Sequence, residues 1–292
     1  MKHNFLLGVL LVTLVGCSKT SGSKEPAPDP VFNLPPTEKL SAEQEAEALE
    51  FYRDYMEALA ATTAISDAQV LRQEAKNNSA EIRALLGERC KMTRIESRQG
   101  QTYTSQQTAR NAQGQICPVQ YLASQVLAIS GSQQQVNAQG TVRTSLNMIG
   151  AELAALTPVD AYEWTGAITM NFVKASESSS QLAIVVEQNG SLIISGTKLQ
   201  TLQRVRMNTV TTVNNDNSQA ISGTTKMALG AKMGSGWVIL LINLNRTIDG
   251  KTTIECTLNG NSLAGDNFCR QSGSQLLTAA PQFSASLVNI NK

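Results

Sequence analysis

Few residues in this chain have the type and spacing to do chemistry. The single histidine is His3, so a histidine triad or a histidine-liganded zinc or iron would rest on the extreme N-terminus. A serine nucleophile would then need Lys, Asp or Glu as its base. Ser195-Gly196-Thr197-Lys198 has the Ser-x-x-Lys spacing that lets an amine activate a hydroxyl. That chemistry expects the serine to open a helix, with a Lys-Thr-Gly element nearby. Here Ser195 leaves an alternating strand and Lys-Thr-Gly is missing from the sequence, so a surface turn is expected. Gly234-Ser235-Gly236 precedes a strand instead of opening a helix, and there is no phosphate-cradling glycine loop. Glu163 beside Trp164 is the one carboxylate–aromatic pair resembling a sugar site, although a strand edge explains it as well. Asn214 to Ser218 carries oxygen ligands at alternate positions, yet lacks the central glycine and bidentate glutamate of a calcium loop. A hairpin tip is expected there.

The N-terminus reads as an address. Lys2 precedes an apolar run from Phe5 to Val15, then Gly16 and Cys17. The run is too short to span a bilayer and fits a secretory signal. Leu14-Val15-Gly16-Cys17 resembles the lipobox of bacterial lipoproteins. The resemblance covers only this leader. It implies cleavage before Cys17, a lipidated thiol and an acylated new amino group, together a stable three-chain anchor. In that family an aspartate after the cysteine favours inner-membrane retention. Ser18 stands there, which implies the outer membrane, with its face left open. No cofactor beyond the covalent lipid on Cys17 is expected.

Residues 18–38 hold five of the eight prolines: Pro26, Pro28, Pro30, Pro35 and Pro36. Proline fixes φ and removes a donor, so the stretch suits an extended tether. At ~3.1 Å per residue it could reach roughly 60 Å.

Removing Cys17 from the count leaves Cys90, Cys117, Cys256 and Cys269. An even number in an exported chain points to disulfides. Three connectivities are possible. Locality favours Cys90–Cys117 and Cys256–Cys269, each contributing about 3 kcal/mol by restricting the unfolded chain. A four-cysteine metal site is the alternative, although no Cys-x2-Cys spacing supports it.

These residues must be carried by two kinds of element. Fourteen of the 23 acidic and 13 of the 24 basic residues precede position 111. Ser41-Ala42-Glu43-Gln44 fits a capping box. Ala46, Leu49, Tyr52, Met56, Leu59 and Thr63 then step by three and four, widened by Phe51 and Tyr55. A second helix is expected from Ser66 to Gly87, making a hairpin. From about residue 90 the period becomes two. Ile168, Met170 and Phe172 lead to Leu182, Ile184 and Val186, and Asn189-Gly190 is expected to turn the chain before Leu192 and Ile194. Val205 to Val213 and residues 219–229 follow. Trp237 to Leu244 is apolar almost throughout, expected to be buried on both faces, and Asp249-Gly250 turns it into Thr252–Leu258.

The expected fold is therefore α+β and mainly β: an N-terminal helical hairpin packed on a long antiparallel meander, as a curved sheet, half-barrel or sandwich. The domain plan is a signal over 1–16, lipidated cysteine and tether over 17–38, helical segment over 39–88, and β region over 89–292 as one unit with the helices. The charged fraction is 16%, below the ~25% usual for soluble domains. A net charge of +1 lacks the basic excess that draws chains to nucleic acid. Only 4% aromatics argue against stacking platforms and against an integral barrel with aromatic girdles.

The expected function is a non-enzymatic envelope lipoprotein, membrane-bound through its anchor, whose stapled β domain binds a protein or cell-wall partner. Asn259, Asn261 and Asp266, inside the Cys256–Cys269 loop, form a candidate contact surface. The alternative is a carrier of a hydrophobic ligand held between helices and sheet. At the level of architecture that alternative is similar to the half-open barrels of periplasmic lipoprotein sorting.

Overall fold

The computed structural model describes residues 32–66, 89–132, 134–154, 159–213, 219–263 and 269. Eleven strands follow one another through the chain and through the sheet in the same order. They are β1 (Cys90–Gln99), β2 (Thr102–Asn111), β3 (Val119–Gly131), β4 (Gln135–Met148), β5 (Val159–Lys174), β6 (Ser179–Ile194), β7 (Thr197–Val213), β8 (Gln219–Met233), β9 (Gly236–Arg246), β10 (Thr252–Leu258) and β11 (Asn261–Ser262). Every neighbouring pair is antiparallel. β1 and β11 are the edges, and no strand pairing between described residues joins them. A meander needs only tight turns, and two of these place consecutive residues at positive φ: Ser195–Gly196 and Asn259–Gly260. Turns of that hand match the right-handed twist of the strands they join.

The expected turn at Asn189-Gly190 is overturned. β6 runs unbroken through both residues, pairing Gly190 with Trp164 on β5 and Thr201 on β7. Glycine is required there for space. A Cβ on Gly190 would run into the Glu163 carbonyl and lie 2.6 Å from Trp164 Cδ1. The chain reverses six residues later at Ser195–Gly196, where the Gly196 amide donates to Asp160 Oδ2 at 2.7 Å.

Strand alternation sorts the side chains onto two faces. The inner face carries Trp164 with Leu127, Leu146, Ile168, Ile184, Leu192, Leu229, Leu240 and Leu258, all fully buried. Each such aliphatic burial stabilises by about 1.5–3 kcal/mol. The outer face is polar, with buried side chains at Leu202, Arg204, Ala228 and Ile239 on β7 to β9. Val238, Ile239 and Leu240 are buried in succession, so β9 is covered on both sides as its apolar run predicted.

Helix α1 (Ala42–Ser66) lies against the inner face. Its start is the expected capping box: the Gln44 amide donates to Ser41 Oγ at 3.3 Å, and Ser41 N donates to Gln44 Oε1 at 2.9 Å. The buried stripe includes the expected Tyr52 and Tyr55, with Leu49 and Phe51 half-buried against the core, while Ala48 takes the place of the exposed Ala46. Tyr52 pins that stripe. Its hydroxyl lies 2.8 Å from the Leu229 carbonyl and 2.7 Å from that of Val238, straddling the β8–β9 ladder. Tyr55 meets Trp164 edge-on at 5.8 Å. The Trp164 indole donates to Thr201 Oγ1 at 2.8 Å. The expected second helix falls over 67–88, outside the described residues. Among the described residues there are one long helix, which lies on the sheet, and a single turn, α2 (Ala151–Ala154).

Both local disulfides form, Cys90–Cys117 and Cys256–Cys269, closing separations of 27 and 13 residues. No helix among the described residues is long and apolar enough to cross a membrane.

Candidate binding face

The sheet's alternation separates residues that are adjacent in sequence. Trp164 points into the core, while Glu163 projects from the outer face and accepts from Arg143 Nη2 at 2.7 Å. The carboxylate and the ring of the supposed sugar site therefore lie on opposite sides of one sheet. Ser195 is the left-handed first residue of its turn, and Lys198 is the second residue of β7. Asn214 to Ser218 and Asp266 lie outside the described residues, as does Cys17. Among the described residues no three of His, Cys, Asp and Glu gather as a metal site.

The two asparagines of the expected contact loop bond within the molecule itself. Asn259 Oδ1 accepts from the Ile239 amide at 2.7 Å, and its Nδ2 donates to the carbonyls of Glu38 at 2.9 Å and Trp237 at 3.2 Å. Asn261 Nδ2 donates to Glu45 Oε2 at 3.4 Å. With the parallel bridge between Thr37 and Trp237, this corner fastens the approach to α1 onto β9. Asn259 and Asn261 thus spend these amide contacts inside the protein, holding the loop rather than reaching outward.

The outer face has a different character. A groove of about 690 Å3 crosses β3 to β6 there, within the ~300–1,000 Å3 usual for ligand sites. The strand register builds it from two rows. Ala128 pairs with Gln139, Gln139 with Thr169, and Thr169 with Val185; two residues along, Ser130 pairs with Asn137, Asn137 with Asn171, and Asn171 with Ala183. All eight line the groove, and none is charged. Asn171 Nδ2 donates to Asn137 Oδ1 at 2.7 Å, which fixes both amides. Gln101 lies at the β2 end, its carbonyl accepting from the Ile129 amide at 2.7 Å. Sequence reading registered the Ser, Thr, Asn and Gln excess of the β region, but only cross-strand register aligns those residues.

Beyond Val185 the next position in the row is Arg206 on β7, whose guanidinium sits 5.4 Å above the Phe32 ring. One pair back on that strand, Arg204 is buried. Its guanidinium donates to the Gln188 carbonyl at 2.5 Å, the Gln203 carbonyl at 3.0 Å and Asn189 Oδ1 at 2.8 Å. Burial pulls its pKa down from the ordinary arginine value, partly offset by the charge of Glu187. Arg204 is thus a structural cation that ties β6 to β7. The groove itself presents neutral donors and acceptors, chemistry suited to holding a ligand in place. The chain matches no protein-family model, no curated protein and no solved structure.

Proposed function

We propose that this chain is a lipid-anchored cell-envelope protein that binds a partner without catalysis, using the outer face of its sheet. The observation that carries this reading is the contrast between the two faces. The inner face packs against the protein's own helix, with Tyr52 completely buried and hydrogen-bonded across two strands. The outer face is left polar and grooved. Two disulfides loosely suit an exported domain. The leader ending in Cys17 supplies the anchor and the outer membrane supplies the site, on whichever face export leaves it.

The carrier alternative needs the inner face cleared of α1, which would strip the Tyr52 hydroxyl from both carbonyls. Fractionation and lipid analysis separate the readings. Cys17→Ser should move the protein from the membrane pellet to the soluble fraction, and an unchanged pellet overturns the anchor. Solvent extraction of the Cys17→Ser protein should yield no stoichiometric lipid. One lipid per chain would overturn the binding reading in favour of the carrier.

A further inference from the structure

Resting on the reading of the outer face as a binding surface, we propose that the groove across β3 to β6 is a subsite for an uncharged glycan chain. Three features choose this class. First, the lining offers amides and hydroxyls and no charge: Asn137, Gln139, Thr169 and Asn171 form its centre. A phosphate-bearing polymer would meet no cation among these lining residues, whereas sugar hydroxyls and acetamido groups would find both donors and acceptors. Second, the groove lies in the middle of the sheet, with β1 and β2 on one side and β7 to β11 on the other. An extended peptide binds sheets by adding a strand at an edge, and no edge is available at β3 to β6. Third, the rows run across the strands. Polar pairs therefore stand on two neighbouring strands, Asn137 with Gln139 on β4 and Thr169 with Asn171 on β5, at the ~4.8 Å strand spacing, and the two rows are ~7 Å apart. A linear polymer of rings lying across the strands meets a polar pair on β4 and another on β5, with Ser130 beside them on β3.

The small side chains of Ala128 and Ala183 leave the two ends of the groove low, so the chain can run on past them. With no aromatic ring among the lining residues, each sugar is held by hydrogen bonds alone. Binding must therefore accumulate along the chain.

The test uses the full-length Cys17→Ser protein with two uncharged hexasaccharides, one of N-acetylglucosamine and one of glucose, followed by calorimetry. At least one hexamer should bind, at least tenfold more tightly than its own disaccharide. Asn137→Ala with Asn171→Ala should weaken that hexamer at least tenfold while leaving the thermal midpoint of unfolding near that of the parent. The control pair Gln120→Ala with Asn147→Ala, outer-face amides outside the groove that meet at 3.5 Å, should leave affinity unchanged. Failure of both hexamers, or equal loss in the control pair, overturns the proposal. So does competition of a bound hexamer by an extended peptide at equal concentration. None of these failures touches the anchor or the helix-packed inner face, whose own tests are fractionation and lipid content.

Discussion

Trp164 and the glycine opposite it organise the centre of the inner face. The indole is buried, hydrogen-bonded to Thr201, flanked by Tyr55 and stacked on Tyr162 at 4.0 Å. It fits because position 190 has no side chain. Gly190→Ala puts a methyl group against Trp164 Cδ1 and the Glu163 carbonyl. The neighbour on one side is backbone, which cannot swing away. The expected loss is about 2–3 kcal/mol, at the upper end for overpacking, read as a lower urea midpoint at constant slope with altered tryptophan emission. An unchanged midpoint would mean that β6 accommodates the methyl group. Tyr52 and Tyr55 give a second residue-level consequence. Burial raises both phenol pKa values above the ordinary 10.0, and for Tyr55 the neighbouring Tyr52 adds to it. The Tyr55 hydroxyl is buried with no hydrogen-bond partner among the described residues, so nothing compensates its ionisation. Because the folded state holds these protons more tightly than the unfolded one, their contribution to stability is complete below pH 10 and falls as pH rises beyond it. An alkaline titration should show delayed tyrosinate absorbance appearing together with loss of the sheet's circular dichroism. Tyrosinate absorbance rising fully at the ordinary pKa, with the sheet intact, would contradict the burial of these rings.

At the scale of elements, the fold depends on where α1 is pinned. Its capping box was readable because it is local, four consecutive residues. Its buried stripe was readable in period, but what pins it was not, since Tyr52 chooses carbonyls more than 170 residues away. The hairpins divide in the same way. Asp249-Gly250 turns as expected, with Gly250 at a φ of 82°, while Asn189-Gly190 keeps to the strand because its neighbours on β5 and β7 pair it from both sides. The disulfides work at this scale too. Cys90–Cys117 ties the first residue of β1 to the segment between β2 and β3, and so secures an edge strand paired on one side by β2. Cys90→Ala with Cys117→Ala should lower stability by about 3 kcal/mol, with amide exchange rising first in β1 and β2. Protection lost evenly through all eleven strands would show that the bridge secures the whole sheet instead.

For the whole molecule, chemistry and architecture separate cleanly by what determines them. The lack of any histidine after His3, the near-neutral charge, the proposed leader ending in Cys17, the proline-rich stretch over 18–38 and the mainly antiparallel β character depend on residue type and short-range period alone. The sequence favoured the local pairing of the cysteines without choosing it among three connectivities, and the structure forms both local bridges, at separations of 27 and 13 residues. The groove is of another kind. Asn137 and Asn171 are 34 positions apart, and nothing in either neighbourhood marks them out. They meet because a one-residue shift in β4–β5 pairing would send every side chain to the opposite face, and burial of Leu146, Trp164 and Ile168 on the inner side forbids that shift. The same constraint parts Glu163 from Trp164 and turns Asn259 inward. Residue type and local period specified a polar, mainly antiparallel sheet. Register, set by burial over long range, decided which polar side chains stand together on its open face.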